Sequence, residues 1–430
     1  MASLSSLISS SQYTKESTTI PLVAGMQLGS TYAGVTFSGG VAVTDPGGMF
    51  GWLIYSSRYL YSPAKVTTGD KYIVYTNPQD LVGDLNKLNS INKVLISDQN
   101  SGGTYGFFEN YGIQNNVYRI APQQNGWDML YAIHYLAYGG RLVIAGNMDG
   151  FSQYQIDTNS YLDVVIASQG NTSMCQWLIT QPNTVGIFPT IADSLGRTGG
   201  GYTMADFATL FGDASLVTGA TVANRIFNVC GLKRITNADT STLKANSRMT
   251  YTLTGVSDVG GFFTRSKNRN QLYLTVAGVR LSTILNGTVI NAIDWQNSLK
   301  DALRTNRVNF FVNNTPKFLG GDLVGATANA IIEQEDRIGV SKLQAAIKND
   351  LNKIGMKYLF EPNNATTRAR VTTEMRTAMN KYSSFVFPAN TQIICDSSNN
   401  TNDSSTLVMT IVFQPILSID SFEVTVSVTQ

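Results

Sequence analysis

Residues 416–429 read Ile416-Leu-Ser-Ile-Asp-Ser-Phe-Glu-Val-Thr-Val-Ser-Val-Thr429, and this stretch decides the reading of the fold. Phe422, Val424, Val426 and Val428 alternate with Ser421, Glu423, Thr425 and Ser427, the period-two pattern of a strand with one apolar face. A long alternating strand is an aggregation liability when left unpaired, so it is expected to pair within its own subunit or with another. Pairing with another chain is strand addition. Two shorter runs precede it, 391–395 and 406–413, and Pro415 breaks the second from the last strand.

Working back from there, helices alternate with strands. The spacing predicts a helix over 365–383 whose inner face carries Val371, Met375, Ala378, Met379 and Tyr382. Arg368, Arg370, Arg376 and Lys381 decorate it, and Glu374 is its only acid. An earlier helix is expected to start at Ser341, with Gln344 completing a capping box and Gly355 stopping it. Leu343, Ile347, Leu351 and Ile354 form its apolar stripe, and Lys342, Lys348 and Lys353 also lie on it. Residues 357–360 read as a strand, 292–303 as a helix and 308–312 as a strand.

The N-terminal part is looser. Residues 1–25 read as an extended arm, polar until Ile20-Pro-Leu-Val23, with Ile20, Leu22 and Val23 as an edge-strand patch. Short strands are expected at 72–75, 93–96, 141–145, 162–167 and 174–180, and a helix at 127–138, ended by Gly139-Gly140. Residues 196–203 read as a loop and 204–211 as a short helix. The basic residues between Arg265 and Arg269, beside Phe262 and Phe263, read as a solvated loop rather than a single-strand binding site.

The domain expectation is therefore an arm at 1–25, a Gly/Tyr-rich β part and an α/β unit at 26–285, a C-terminal domain at 286–405, and terminal strands at 406–430. The fold class is α/β and α+β multidomain, with mixed sheets, flanking helices and extended β-arms at both ends.

Composition narrows the function. Only 14% of the 430 residues are charged, with Ser, Thr, Asn and Gly in their place, which suits a surface covered by neighbours. A net charge of +2 gives no overall pull toward nucleic acid or lipid. Cys175, Cys230 and Cys395 are far apart and form no metal or disulfide pattern. The Ser-rich first 15 residues lack the apolar core of a secretory leader, and the longest apolar run, 407–413, is far short of a membrane span. The expected product is soluble, with no membrane insertion and no nucleic-acid partner.

Catalytic chemistry finds little support. His134 is the sole histidine and reads as a packed or partly exposed helix residue. The loop at 196–203 lacks the Lys-Ser/Thr of a phosphate-cradling loop, and no nucleophile elbow, dinucleotide fingerprint or calcium loop occurs. Glu333, Glu335 and Asp336 read as acids complementing a helix start. No enzyme and no cofactor are expected.

Phe360-Glu-Pro-Asn363, the basic helix, Cys395-Asp-Ser-Ser-Asn-Asn400, then 407–413, Pro415 and 421–428 stand in an order that resembles the C-terminal domain of contractile tail sheath proteins. These proteins come from phages and phage-derived injection machines, and the segment 295–311 is also similar. The resemblance implies a subunit of stacked hexameric rings, a helical polymer around a tail tube, whose contraction drives the tube through a target envelope. It implies self-association, a tail tube protein, and baseplate and tail terminator proteins as partners, with the virion tail as location and the host cytoplasm as place of assembly. On it, Ile20, Leu22, Val23, Phe422, Val424, Val426 and Val428 become the inter-subunit strand-exchange set. Arg368, Arg370, Arg376 and Lys381 become the tube-facing set, with the lysine-bearing helix from Ser341 as its rival. Another self-assembling tube or surface-layer subunit is the alternative, and an α/β enzyme binding a nucleotide at 140–205 is the third reading.

Overall fold

The computed structural model describes residues 22–27, 72–80, 131–132, 134–145, 148–166, 172–189, 225–237, 249–285, 287–289, 292–295, 299–305, 307–325, 334–401 and 405–417. The segments 93–96, 196–203 and 204–211 lie outside these residues.

An eight-stranded mixed sheet organises the first three quarters. Its strands are β1 (Val23–Gln27), β2 (Tyr72–Tyr75), β3 (Arg141–Ala145), β4 (Val164–Ile166), β5 (Val185–Pro189), β6 (Ile226–Cys230), β10 (Val308–Val312) and β11 (Phe318–Leu319). Their order is β11-β10-β6-β5-β4-β1-β3-β2. The six inner strands are parallel, and β2 and β11 close the two edges antiparallel. Parallel strands are covered on both faces, so they read as continuous apolar runs. Leu142-Val-Ile-Ala145, Val164-Val-Ile166 and all five residues of β10 are accordingly buried. The sheet takes strands from both sides of residue 286.

On one face, helices α1 (Met148–Thr158) and α2 (Thr172–Ile179) bury Phe151, Tyr154, Met174, Trp177 and Leu178 against Val23, Val143, Val165 and Phe188. α2 replaces the strand expected at 174–180. Its apolar run is short enough to suit either period, and Met174, Trp177 and Leu178 at i, i+3 and i+4 settle on the helical one. α1 escaped the sequence reading because only Phe151 and Tyr154 mark its inner face, while Ile156 is exposed.

The other face carries helix α3 (Val256–Asn268) and the helical residues 131–132 and 134–136. Gly139, at φ 80°, ends the latter as expected. The basic cluster expected on a loop belongs to α3 instead, and Phe262, Phe263 and Arg265 are buried. A Cβ at Gly261 would sit 2.1 Å from the Tyr138 ring, so glycine is what lets α3 lie this close. Arg265 covers the Tyr138 ring and donates to the Leu281 and Thr283 carbonyls. Its aliphatic stem and stacked head explain how a cation enters a core.

β6 runs through Gly231 into a small antiparallel sheet, β8-β7-β9, made of β7 (Leu232–Asn237), β8 (Met249–Thr254) and β9 (Thr288–Val289). Residues 292–295, expected as helix, are extended: Ile293 bridges to Val312 and Trp295 lies on Phe310. Helix α4 (Leu299–Thr305) follows and leads into β10.

The C-terminal unit packs α5 (Ile338–Lys357) and α6 (Ala365–Met379) on a two-stranded sheet, β12 (Gln392–Ile394) with β13 (Thr410–Val412). Leu343, Ile347 and Ile354 of the expected stripe are buried, with Val371, Met375, Met379 and Tyr382 facing them. The capping box at Ser341 is not used. α5 begins one turn earlier, where the Ile338 amide reaches the Asp322 carbonyl, so the Ser341 amide is already inside the helix, bonded to Arg337. α5 also runs past Gly355 to Lys357, and 358–360 turn rather than extend. Asn364 caps α6, its side chain accepting from the Thr367 amide at 2.9 Å.

Candidate assembly surfaces

β12 and β13 pair only with each other among the described residues. Ile393 and Ile411, opposite each other, pack on α5 and α6, whereas Gln392, Thr410 and Val412 are exposed. Two strands alone are marginal in water, and this pair stands because helices cover one face. After β13 the chain turns at Pro415, and the Ile416 amide reaches the Phe385 carbonyl at 2.8 Å. Asn400 fixes the preceding loop, accepting from the Val408 amide and donating to its carbonyl. Among the described residues the sheet thus has open edges on a rigid base, at the point where the alternating segment begins. Phe422, Val424, Val426 and Val428 lie outside the described residues.

The N-terminal set divides. Ile20 lies outside the described residues, while Leu22 and Val23 are committed to the chain's own sheet. Val23 opens β1, which sits between β3 and β4 in parallel register, and Leu22 is fully buried. Asp163 accepts from the Val23 amide at 3.0 Å and pairs with Lys267, pinning the strand's entry. Both flanks of β1 are filled within this chain, so these two residues lie in the interior of a sheet rather than at an edge.

The basic set divides as well. Arg370, Arg376 and Lys381 are exposed on the C-terminal unit. Arg370 pairs with Glu361 and lies over Tyr358; Lys381 pairs with Asp350 and lies over Tyr382. Arg368 is instead buried, donating to Asn363 Oδ1 at 3.0 Å, and Asn363 in turn reaches the Thr406 carbonyl. It ties the α5–α6 turn to the strand region, a role that a surface-charge pattern hides. On the rival helix, Lys348 and Lys353 are exposed, but Lys342 is buried, its Nζ bonded to the carbonyls of Asp163 and Asn183. Burial pulls the Lys342 pKa down to about 8. Burial works against the Asp350 carboxylate, yet donors from Lys381 and Tyr382 hold its pKa below the ordinary value. Hydrogen bonds from Lys357 and then Tyr358 do the same for Glu374.

Between these surfaces the α5–α6 turn exposes Met356, Leu359 and Phe360, the last fully exposed at a φ of 70°. Positive φ is uncommon for a bulky aromatic residue. Sequence reasoning placed this ring in a strand and so missed an apolar knuckle; the exposed turn Glu361-Pro-Asn-Asn364 beside it was the available signal.

Sites for chemistry are not gathered here. Among the described residues no group of three or more His, Cys, Asp or Glu is placed to hold a metal, and no helix is long and apolar enough to cross a membrane. His134 is buried, its pKa lowered by burial and by Lys233. Lys233 and Asp258, both 2% exposed, pair at 2.8 Å, and Tyr138 donates to the same carboxylate at 2.6 Å. Cys230 and Cys395 are buried thiols, and Asp336, expected only to complement a helix start, pairs with Arg307.

No family model matches the chain. The tail sheath protein of Enterobacteria phage T4 is 29% identical over 171 residues, covering 38% of this chain and 25% of the phage protein. The resemblance to contractile tail sheath proteins holds. The chain spans about a quarter of the length of that curated relative. Solved sheath structures extend the likeness to the fold. The contracted sheath of PVC, an extracellular contractile injection system, superposes at a TM-score of 0.58, with 11% identity over 96% of this chain and 93% of that one. The contracted helical sheath of the anti-feeding prophage gives 0.53, with 10% identity over 97% and 96%. A chain of the same prophage's contracted baseplate gives 0.51, with 15% identity over 93% and 98%. The mixed sheet with flanking helices is thus the fold of sheath subunits.

Proposed function

We propose that the chain is a structural subunit of a contractile tail sheath, not an enzyme. It polymerises with itself as stacked hexameric rings around a tail tube, and contraction drives the tube through the target envelope. The observation that carries this is the β12–β13 pair, a helix-backed sheet whose edges are open among the described residues, followed at once by a segment whose sequence alternates apolar and polar residues. Strand addition gives backbone hydrogen bonds for strength, and the alternate side chains of the added strand give register. In this reading residues 418–430 leave their own subunit and complete the β12–β13 sheet of a neighbour, and residues preceding Leu22 form the second connector. Flexible arms then keep the lattice joined while rigid cores rotate.

Arg370, Arg376 and Lys381 face an acidic tube surface through exposed ion pairs, each weak enough to release. Baseplate and tail terminator proteins bound the polymer at its two ends. The particle is a tail or a tail-derived injection device, put together in the host cytoplasm.

Deleting residues 418–430 is the decisive experiment, because it spares the Ile416–Phe385 contact. The expected product is a folded chain that no longer forms wide cylinders in negative-stain images. Normal cylinders from the truncated chain refute the connector; thin tubes from the intact chain favour a tail-tube subunit instead. Reversing Arg370, Arg376 and Lys381 to Glu is expected to leave self-assembly intact and abolish decoration of tubes.

A further inference from the structure

Where β5 meets the first half of α5, an open cleft of about 280 Å³ is lined by Asn183, Thr184, Arg225, Ser341, Lys342 and Lys348, among others. Three of these side chains are cations, and no carboxylate lines the cleft among the described residues. Lys342 is 1% exposed and uses two of its three donors on the Asp163 and Asn183 carbonyls, at 2.6 and 3.0 Å. Arg225 is half-buried and spends one bond, at 3.2 Å, on the Leu178 carbonyl. The nearest acid, Asp163, is already engaged by Lys267 and by the Val23 amide. The side-chain oxygen of Asn183, also in the cleft wall, is buried without a hydrogen-bond partner.

Desolvated cations without a facing anion are costly to hold. Burial lowers the pKa of both Arg225 and Lys342; at Lys342 the Asp163 charge opposes burial only in part, and Lys267 and Arg225 add to the lowering. Two amines, from Lys342 and Lys348, and the forked Arg225 guanidinium lining one small space form a donor set for tetrahedral or planar oxygens. The volume lies just below the range of drug-sized ligands and fits a single oxyanionic group.

We infer that this cleft binds an oxyanion of the phosphate or carboxylate class and so locks α5 to the start of β5. The inference is independent of the proposed sheath role. It is tested on the full chain by thermal unfolding in inorganic phosphate against chloride at matched ionic strength and pH 7. Phosphate also stabilises by exclusion from protein surfaces, an effect that grows without saturating. The site predicts a saturable rise on top of that slope. Arg225→Gln with Lys348→Gln weakens the saturable part at least tenfold and leaves the unfolding temperature in chloride nearly unchanged. The single variant Lys348→Glu, at an exposed position, repeats the test if the double variant folds poorly, with phosphorus NMR line broadening as the second readout. No saturable component, or one untouched by these substitutions, overturns the inference. Light scattering during polymerisation then separates two sources of the anion, each outcome upholding the site. Phosphate that slows assembly of the native chain but not of the variant marks an acidic side chain of a second copy. Assembly indifferent to phosphate marks a free oxyanion.

Discussion

His134 makes the acid response of this protein unusually readable, because it is the only histidine in 430 residues. It is 1% exposed, and burial first, then Lys233, holds its pKa well below 6.5. The unfolded chain therefore takes up a proton, as pH falls through about 6.5, that the folded chain refuses. Stability is fully present above that pH and is lost progressively below it. While the folded ring stays neutral the loss grows by up to about 1.4 kcal/mol per pH unit, from one proton alone. Depressed carboxylates such as Asp350 add their own loss only at lower pH, as they approach their ordinary range. Asp322, raised by burial against the pull of Arg337, contributes with the opposite sign. Subtraction isolates the histidine: guanidinium unfolding of native chain and His134→Gln, from about pH 7.5 to 5.0, should give curves that diverge at up to that slope. Curves that stay parallel over that range refute the argument, because they mean the ring is equally protonated in both states.

Lys233→Met should cost about 3–5 kcal/mol, since it strands Asp258 beside Tyr138 at 2% exposure, and adding Asp258→Leu should recover part of the loss in denaturant titrations. Gly261→Ala drives a methyl into the Tyr138 ring and should lower stability by about 1–3 kcal/mol. By contrast, Gly355→Ala meets nothing within 4 Å inside α5 and should raise stability by up to about 1 kcal/mol in the same assay. Met375→Ala, at a fully buried position between α5 and α6, should cost about 2–5 kcal/mol and loosen the C-terminal unit, read by hydrogen exchange of α6 amides.

The regular parts of the chain were legible because their periods were clean. The stripe on α5, the inner face of α6 and strands β2, β3 and β10 stand where the residues put them. Failures fell where local pattern and tertiary context compete. Met174–Thr180 was apolar enough for either period, and packing on β5 chose the helix. Arg265 looked like surface because a sequence shows charge but not the aromatic ring that covers it. Leu22 and Val23 followed a Ser-rich stretch, and nothing local announced that two strands more than a hundred residues away would enclose them. Among the proposed surface charges, Arg368 and Lys342 proved to be internal ties. Their lengths, not their charges, let Lys342 reach carbonyls across the fold and Arg368 reach back to the Asn363 carbonyl before its own helix.

The position of β1 has a mechanical consequence. A strand at a sheet's edge peels away one hydrogen bond at a time. β1 is flanked by β3 along all five residues and by β4 along three, both parallel to it. A pull on the chain before Leu22, directed along the strand, loads both ladders together in shear. The Asp163 carboxylate at the strand's entry shares that load. Tension delivered through the preceding residues would thus reach the centre of the sheet without first unzipping a margin.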